Sequence, residues 1–347
     1  MELLIIIFIY ILGTIFGSFS SVVISRIRKK EKGIFMGRSH CTSCNTTLQA
    51  RDLIPIFSYV FSRGKCRFCN QKVSALYPIL EIVMGTVFAL GAYFFVDLNY
   101  LIMGNSIEFF RLFFVLYISF FSIVYMFYDI LYLEIPETVM KLLIFPTFGI
   151  LALQTVFNTK LLPFFDNINL VQSTQVISII ISFLILIGLY MVMTMPLKND
   201  KLDTLKDFGI IIFSYILLFI LHSFGFDLSN IPILNGILAS LIIFAFFFLQ
   251  YYFSNGKAIG GGDFLIGIFM GLLLGLNYGF FGIICSYLFG SIVGLGVVFR
   301  QYLRQLNSDK DLINTIIPFG PFLAMGMFFV IYFHKYLGDI FGELMFF

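Results

Sequence analysis

The chain has 347 residues, enough for one large domain or two ordinary ones, and 60% of them are hydrophobic while only 12% are charged. A soluble domain carries about 25% charged residues, so a sequence with 47 Phe and no Trp must set most of its surface against lipid or other apolar helices. The net charge of +3 is small, and no nucleic-acid partner is expected from it.

A membrane-crossing helix needs about 20 mostly apolar residues. Ten stretches qualify as candidates in chain order: 3–24, 76–96, 109–128, 139–157, 176–195, 208–224, 233–253, 264–276, 279–299 and 319–333. The eighth is short. The flank of the first, Met1-Glu2, has no basic side chain, unlike an ordinary signal peptide. The basic residues Arg26, Arg28, Lys29, Lys30 and Lys32 follow it. The positive-inside rule then puts the N-terminus outside and the Arg26 side in the cytoplasm. Ten crossings place the loops 129–137, 198–207, 255–263 and 300–311 inside, where most remaining Lys and Arg lie, whereas the outer loops 97–108, 158–174 and 227–232 contain only Lys160. The stretch 26–75 holds eleven Lys or Arg against Glu31 and Asp52. A basic cytoplasmic loop beside a membrane is what insertion and anionic lipids favour.

This loop carries four of the five cysteines, as Cys41-Thr-Ser-Cys44 and Cys66-Arg-Phe-Cys69 with 21 residues between. Each pair can set two thiolates on one tight knuckle, and two knuckles give a tetrahedral site for structural Zn2+. Two disulfides are the alternative, opposed by a reducing cytosol, and a redox CxxC would need one pair only. The spacer has strand-and-turn composition and is somewhat longer than the usual zinc-ribbon spacer. His40 reads as a neighbour of the first knuckle, and Cys285, within an apolar segment, as a small buried hydrophobe.

Acidic residues at membrane depth are costly and mark function by default. Glu81 sits near a helix start, where a carboxylate is also favourable, so structural and functional roles both stay open. Asp129 closes the apolar run Phe120-Phe121-Ser122-Ile123-Val124-Tyr125-Met126-Phe127-Tyr128 and is followed by Ile135-Pro136. Carbonyl dipoles disfavour a carboxylate at a helix C-terminus, so helix stability does not explain it. Asp263 follows Gly260-Gly261-Gly262 and opens the next apolar segment. An N-cap would account for the Asp, but not for three glycines, which permit close approach of another chain. Two carboxylates at one depth on different loops suit an aspartyl protease, in which one activates water and the other protonates the leaving amine. Helix dipoles nominate Asp263 for the first role and Asp129 for polarising the scissile carbonyl.

Together these residues resemble the bacterial type IV prepilin peptidases, membrane aspartyl proteases of the GxGD class. Gly17-Ser18-Phe19 with Val22-Val23-Ile24 and Arg26 is similar to that family's GSFxNVVxxR opening. Cys41 through Asp52, Ile54-Pro55, Ser58-Tyr59, Gly64-Lys65-Cys66-Arg67, Cys69, Tyr77-Pro78 and Glu81 resemble its cysteine domain. Asp129 with Ile135-Pro136 resembles the first aspartate motif, and Gly260-Gly261-Gly262-Asp263 the second. Pro318-Phe319-Gly320-Pro321-Phe322-Leu323-Ala324 resembles the late PFGPYLA stretch. Ser21 stands in place of the usual Asn, Glu137 in place of Asp, and Leu265 in place of the Lys of GxGDxK.

The apolar runs give an all-α polytopic membrane protein of about ten transmembrane helices with a small cytoplasmic four-cysteine, zinc-ribbon-like domain, whereas the resemblance implies the eight that members usually have, so two helices are extra. Residues 1–25 would be the first transmembrane helix, 26–75 the zinc domain, and 76–347 the protease domain with a two-helix insertion within 158–255. It also implies an endopeptidase of the inner membrane, with Asp129 and Asp263 catalytic, that removes the leader of prepilins or pseudopilins at the cytoplasmic face. Many members then methylate the new N-terminal amine from S-adenosylmethionine, and the family's methylation-linked glycine falls on Gly64. A zinc-ribbon scaffold without catalysis would need neither aspartate. A transporter would place acids near the bilayer midplane, and a simpler preflagellin enzyme would lack the cysteine domain. Oligomeric state and the natural substrate are not expressed in the sequence.

Overall fold

The computed structural model describes residues 1–30, 39–41, 43–165, 172–194, 201–226, 228, 230–254, 256–257, 259–305 and 317–344. Lys32 of the basic loop and parts of the expected loops at 158–174, 198–207 and 300–311 lie outside the described residues. The chain divides into two compact units, Met1–Tyr132 and Leu133–Phe347.

In the first unit, α1 (Glu2–Lys29) is followed by a short 3-10 helix (Ala50–Leu53), α2 (Phe57–Phe61), α3 (Leu76–Phe95), α4 (Leu98–Ile102) and α5 (Ser106–Tyr132). At 1.5 Å per residue, 28 residues make α1 about 42 Å long, more than the roughly 30 Å of a hydrocarbon core. The surplus is polar: Arg26, Arg28 and Lys29 occupy its last turn, where cations offset the helix dipole. Lys30 ends it in the left-handed conformation, its N–H donating to the Arg26 and Ile27 carbonyls.

Lipid offers no hydrophobic drive for helix pairing, so helices in it associate through close packing of small residues. Gly13 and Gly17 are one turn apart on α1 and meet α3 directly. A Cβ on Gly13 would lie 2.7 Å from Gly85 Cα, and one on Gly17 would lie 2.6 Å from Glu81 Cα. Phe16, on the same helix, packs on Phe88 and Phe120 at centroid separations of 5.8 and 5.7 Å, and so ties α5 to the pair.

The second unit contains α6 (Glu137–Phe157), α7 (Gln172–Thr194), α8 (Lys201–Ser223), α9 (Pro232–Ser254), α10 (Asp263–Gln305) and α11 (Gly320–Leu344). Its core lies between α9 and α10, where Ser240 donates across to the Ile268 carbonyl at 2.9 Å. The ring of Phe264 sits among Phe244, Phe248 and Tyr251, fixing the start of α10. The expected segments 264–276 and 279–299 form one helical stretch broken at Gly275, which has φ 71°. Asn235 Oδ1 accepts the Leu276 N–H there at 2.8 Å, so a side chain from α9 satisfies the donor that the break releases.

The architecture is all-helical and polytopic. Among the described residues, six helices are long and apolar enough to cross a membrane: Glu2–Lys29, Leu76–Phe95, Ser106–Tyr132, Glu137–Phe157, Pro232–Ser254 and Asp263–Gln301. Shorter apolar stretches cover Thr174–Tyr190 and Ile211–Ser223. The ten expected segments all fall on helices, of which these six have the length and composition of spans.

Candidate functional site

The two CxxC segments fold as copies of one turn. Cys41 N–H donates to the Thr46 carbonyl and Asn45 N–H returns to the Cys41 carbonyl; Cys66 with Gln71, and Asn70 with Cys66, repeat both bonds at 2.8–3.0 Å. Asn45 (φ 55°) and Asn70 (φ 59°) occupy the left-handed region in equivalent positions, which Asn tolerates better than most residues. One antiparallel bridge closes each knuckle, His40 with Thr47 and Lys65 with Lys72.

These turns bring the Sγ atoms of Cys41, Cys44, Cys66 and Cys69 within 4.8 Å of one another, with Cys41 and Cys69 at 4.0 Å. Zn–S bonds of about 2.3 Å in a tetrahedron require S···S separations of about 3.8 Å, so the four thiols fit zinc. All four are free cysteines, and exposed His40 is not among the clustered ligands.

Backbone N–H groups of Cys44 and Ser43 hold Cys41 below the usual thiol range, and those of Cys69 and Phe68 do the same for Cys66. The Thr46 hydroxyl and amide lower Cys44. Cys69 accepts the Gln71 N–H, which lowers it, yet burial and the thiols of Cys66, Cys44 and Cys41 push it up to about 11. Four crowded thiols thus cannot all ionise without a cation, and bound Zn2+ would supply that charge and hold the fold.

The spacer between knuckles is helical rather than strand-like. Gln49 and Asp52 form a capping box around the 3-10 helix, with Asp52 accepting the Gln49 N–H at 3.0 Å, and Arg67 of the second knuckle pairs with Asp52 at 3.4 Å. Pro55-Ile56-Phe57 is a γ-turn: Phe57 N–H donates to the Pro55 carbonyl at 2.6 Å, and Ile56 has φ 63°. That conformation is strained for a β-branched residue. Glu81 stabilises it, its Oε2 accepting the Ile56 N–H at 2.7 Å. The carboxylate left open between two roles therefore has a structural one, joining α3 to the cysteine module. Nothing in the local sequence signals this partnership across 25 positions.

Asp129 and Asp263 are both buried, each 6% exposed, and they belong to different units. Asp129 lies in the last turn of α5, before Leu133 at φ 55°. Asp263 opens α10, and its Oδ2 accepts the Gly260 N–H at 3.1 Å while its own N–H donates to the Gly260 carbonyl. The acid therefore caps its own glycine turn. Within the second unit a Cβ on Gly262 would lie 2.6 Å from Ile135 Cβ. The glycine loop thus packs on the Ile135-Pro136 segment, six positions beyond Asp129 in sequence. Cys285 is buried and is not among the four clustered thiols.

Residues 11–95 match the model of the bacterial peptidase A24 N-terminal domain. The Bacillus subtilis prepilin leader peptidase/N-methyltransferase is 40% identical over 81 residues, 23% of this chain and 32% of the relative. Its counterpart from Klebsiella pneumoniae is 35% identical over 91 residues, 25% of this chain and 40% of the relative. The Vibrio cholerae enzyme of the same name is 38% identical over 89 residues, 24% of this chain and 35% of the relative. These matches span about a third to two fifths of the relatives' length. No solved structure matches. The knuckle pair, Gly17, Gly64 and Glu81 fall inside the matched stretch, and Asp129 and Asp263 beyond it. Residues 11–95 are thus similar to the N-terminal domain of the bacterial A24 peptidases, and the same stretch carries the similarity to the prepilin leader peptidase/N-methyltransferases.

Proposed function

We propose that the chain is a membrane-embedded aspartyl endopeptidase that removes the leader of prepilin-like proteins at the cytoplasmic face of the inner membrane and then methylates the exposed amine. The observation that carries this reading is the match of residues 11–95 to the peptidase A24 N-terminal domain. The partnership of the two aspartates rests on the sequence, where Asp129 with Ile135-Pro136 and Gly260-Gly261-Gly262-Asp263 resemble the two aspartate motifs of the class. In this reading 1–25 is the first crossing, 26–75 the zinc domain and 76–347 the protease domain, with α7 and α8 inside the insertion at 158–255.

Asp263 draws a proton from water as the water oxygen attacks the scissile carbonyl, and Asp129 polarises that carbonyl. The acids then exchange roles as a proton passes to the leaving amine, since one proton is shared by the pair. The products are a leader ending in a carboxylate and a pilin beginning with a free amine. S-adenosylmethionine would be the methyl donor, and Gly64 a residue that methylation requires. Gly64 has φ 67°, and a Cβ there would stand 2.9 Å from the Tyr59 hydroxyl.

The test is substitution of either acid. Asp129→Asn and Asp263→Asn should each lower prepilin cleavage by roughly a hundredfold or more, with zinc content and methylation of a precleaved pilin retained. Near-normal cleavage by either variant would overturn the protease assignment.

A further inference from the structure

Within the second unit, α10 doubles back on itself. A Cβ on Gly279 would lie 3.9 Å from Gly271 Cα, whereas eight residues of unbroken helix span about 12 Å. The reversal falls at Gly275. Asp263 and Tyr287 are each twelve positions from it, so they stand at one depth, about 18 Å from the turn. The Tyr287 hydroxyl is accordingly within electrostatic reach of the Asp263 carboxylate. α9 comes to the same level. Its Tyr251 packs on Phe264, the neighbour of Asp263, at a centroid separation of 5.5 Å. Gln250, the residue before it, accepts the Tyr287 hydroxyl through Oε1 at 2.7 Å.

The Tyr287 ring is seated by the Pro318-Phe319-Gly320-Pro321 run, which the chemistry above does not use. Phe319 lies 5.0 Å from it between centroids, and Phe246 of α9 lies 6.0 Å from it. Phe319 is itself packed on Phe247 and Phe322, both at 6.4 Å. A tyrosine pinned in this way fixes which way the Gln250 carboxamide faces. The amide oxygen is taken, and the NH2 group keeps both of its protons. Those two donors have no partner among the described residues. Gln250 belongs to a helix of spanning length and is only partly exposed, where unmatched polar groups are costly and mark function.

An extended peptide has the complementary deficit. Its main-chain carbonyls lose their water donors when it enters a site at the membrane face, and proteins that hold such peptides gain affinity from main-chain hydrogen bonds. Resting on the protease reading above, we propose that Gln250 is a substrate-binding residue whose NH2 group donates to a main-chain carbonyl of the segment being cleaved, and that Tyr287, seated on Phe319, positions it. The ligand is an extended peptide backbone, so the contact is indifferent to the side chains of the leader. It supplies binding and orientation, and moves no proton; the chemistry stays with Asp129 and Asp263.

The experiment follows cleavage of a model prepilin by full-length protein in detergent, with Gln250→Met, Tyr287→Phe and the double variant. Losing one neutral hydrogen bond should raise KM of Gln250→Met about tenfold, with kcat within about threefold of the parent. Tyr287→Phe keeps its ring on Phe319 and should raise KM by about threefold, and the double variant should match Gln250→Met alone, because Tyr287 acts through Gln250. A KM for Gln250→Met within about twofold of the parent would overturn the contact, and losses that add in the double variant would overturn the positioning role. A second measurement replaces single backbone amides of the prepilin beside the scissile bond by esters, whose carbonyls accept more weakly. One ester position should raise the parent's KM and leave that of Gln250→Met unchanged; an ester series without effect on the parent would overturn the contact. Should Gln250→Met misfold, as its unfolding midpoint would show, the ester series on the parent decides. A folded parent that leaves every prepilin intact would sink the protease reading, and this contact with it.

Discussion

Four thiols within 4.8 Å of one another repel as thiolates, so the cysteine module depends on a cation to close. Cys44→Ser should therefore reduce bound zinc from about one per chain to well below that, and should expose residues 39–74 to protease. Metal analysis of purified protein checks the first and limited proteolysis the second; full zinc occupancy in the variant would contradict the assignment. The ligands were legible because the CxxC spacing constrains backbone and chemistry together. Asn45 and Asn70, the residue after each pair, were not singled out in the sequence, and their role emerges only with the positive φ of the turns. The Glu81–Ile56 bond was not legible either. It joins residues of different elements, and its need arises from a γ-turn that composition does not reveal. For the same reason the spacer read as strand and turn, although a capping box and Pro55 direct it into helical turns.

At the level of elements, the α1–α3 contact is set by absent side chains. Gly17→Leu would drive atoms into Glu81 Cα, and overpacking of this kind costs about 1–3 kcal/mol or more. The expected outcome is a lower midpoint of thermal unfolding; an unchanged midpoint would refute the close approach. Gly262→Val makes a sharper test, because Ile135 Cβ lies where the new side chain must go. It should depress cleavage while leaving zinc content intact, as the cysteine module is in the other unit; normal cleavage would show that the glycine loop tolerates displacement. The apolar runs made the helices readable in advance. The joining of segments 264–276 and 279–299 into α10 was less so, because the bend depends on Gly275 and on Asn235 from another helix.

For the whole molecule, a low charge content and six helices of spanning length among the described residues place the chain across a membrane several times. The basic residues at the end of α1 set the expected cytoplasmic side. A prepilin would then lie with its apolar helix in the bilayer and its leader in the cytosol. A basic leader would not be complementary to a basic cysteine module, so an early acidic residue of the mature pilin is the better partner proposed for it. Reversing that charge should slow processing or methylation most at low salt, since screening weakens with ionic strength below about 0.1 M. No change at low salt would remove the electrostatic part of the account.

The central claim is that one chain both cleaves a prepilin and modifies the amine it creates. Incubation of the purified protein with a model prepilin and S-adenosylmethionine, followed by mass spectrometry of the pilin N-terminus, reads both events. The account predicts a pilin shortened by its leader and heavier by one methyl group than the simple cleavage product. An intact prepilin under conditions where zinc is bound and the protein is folded would contradict it.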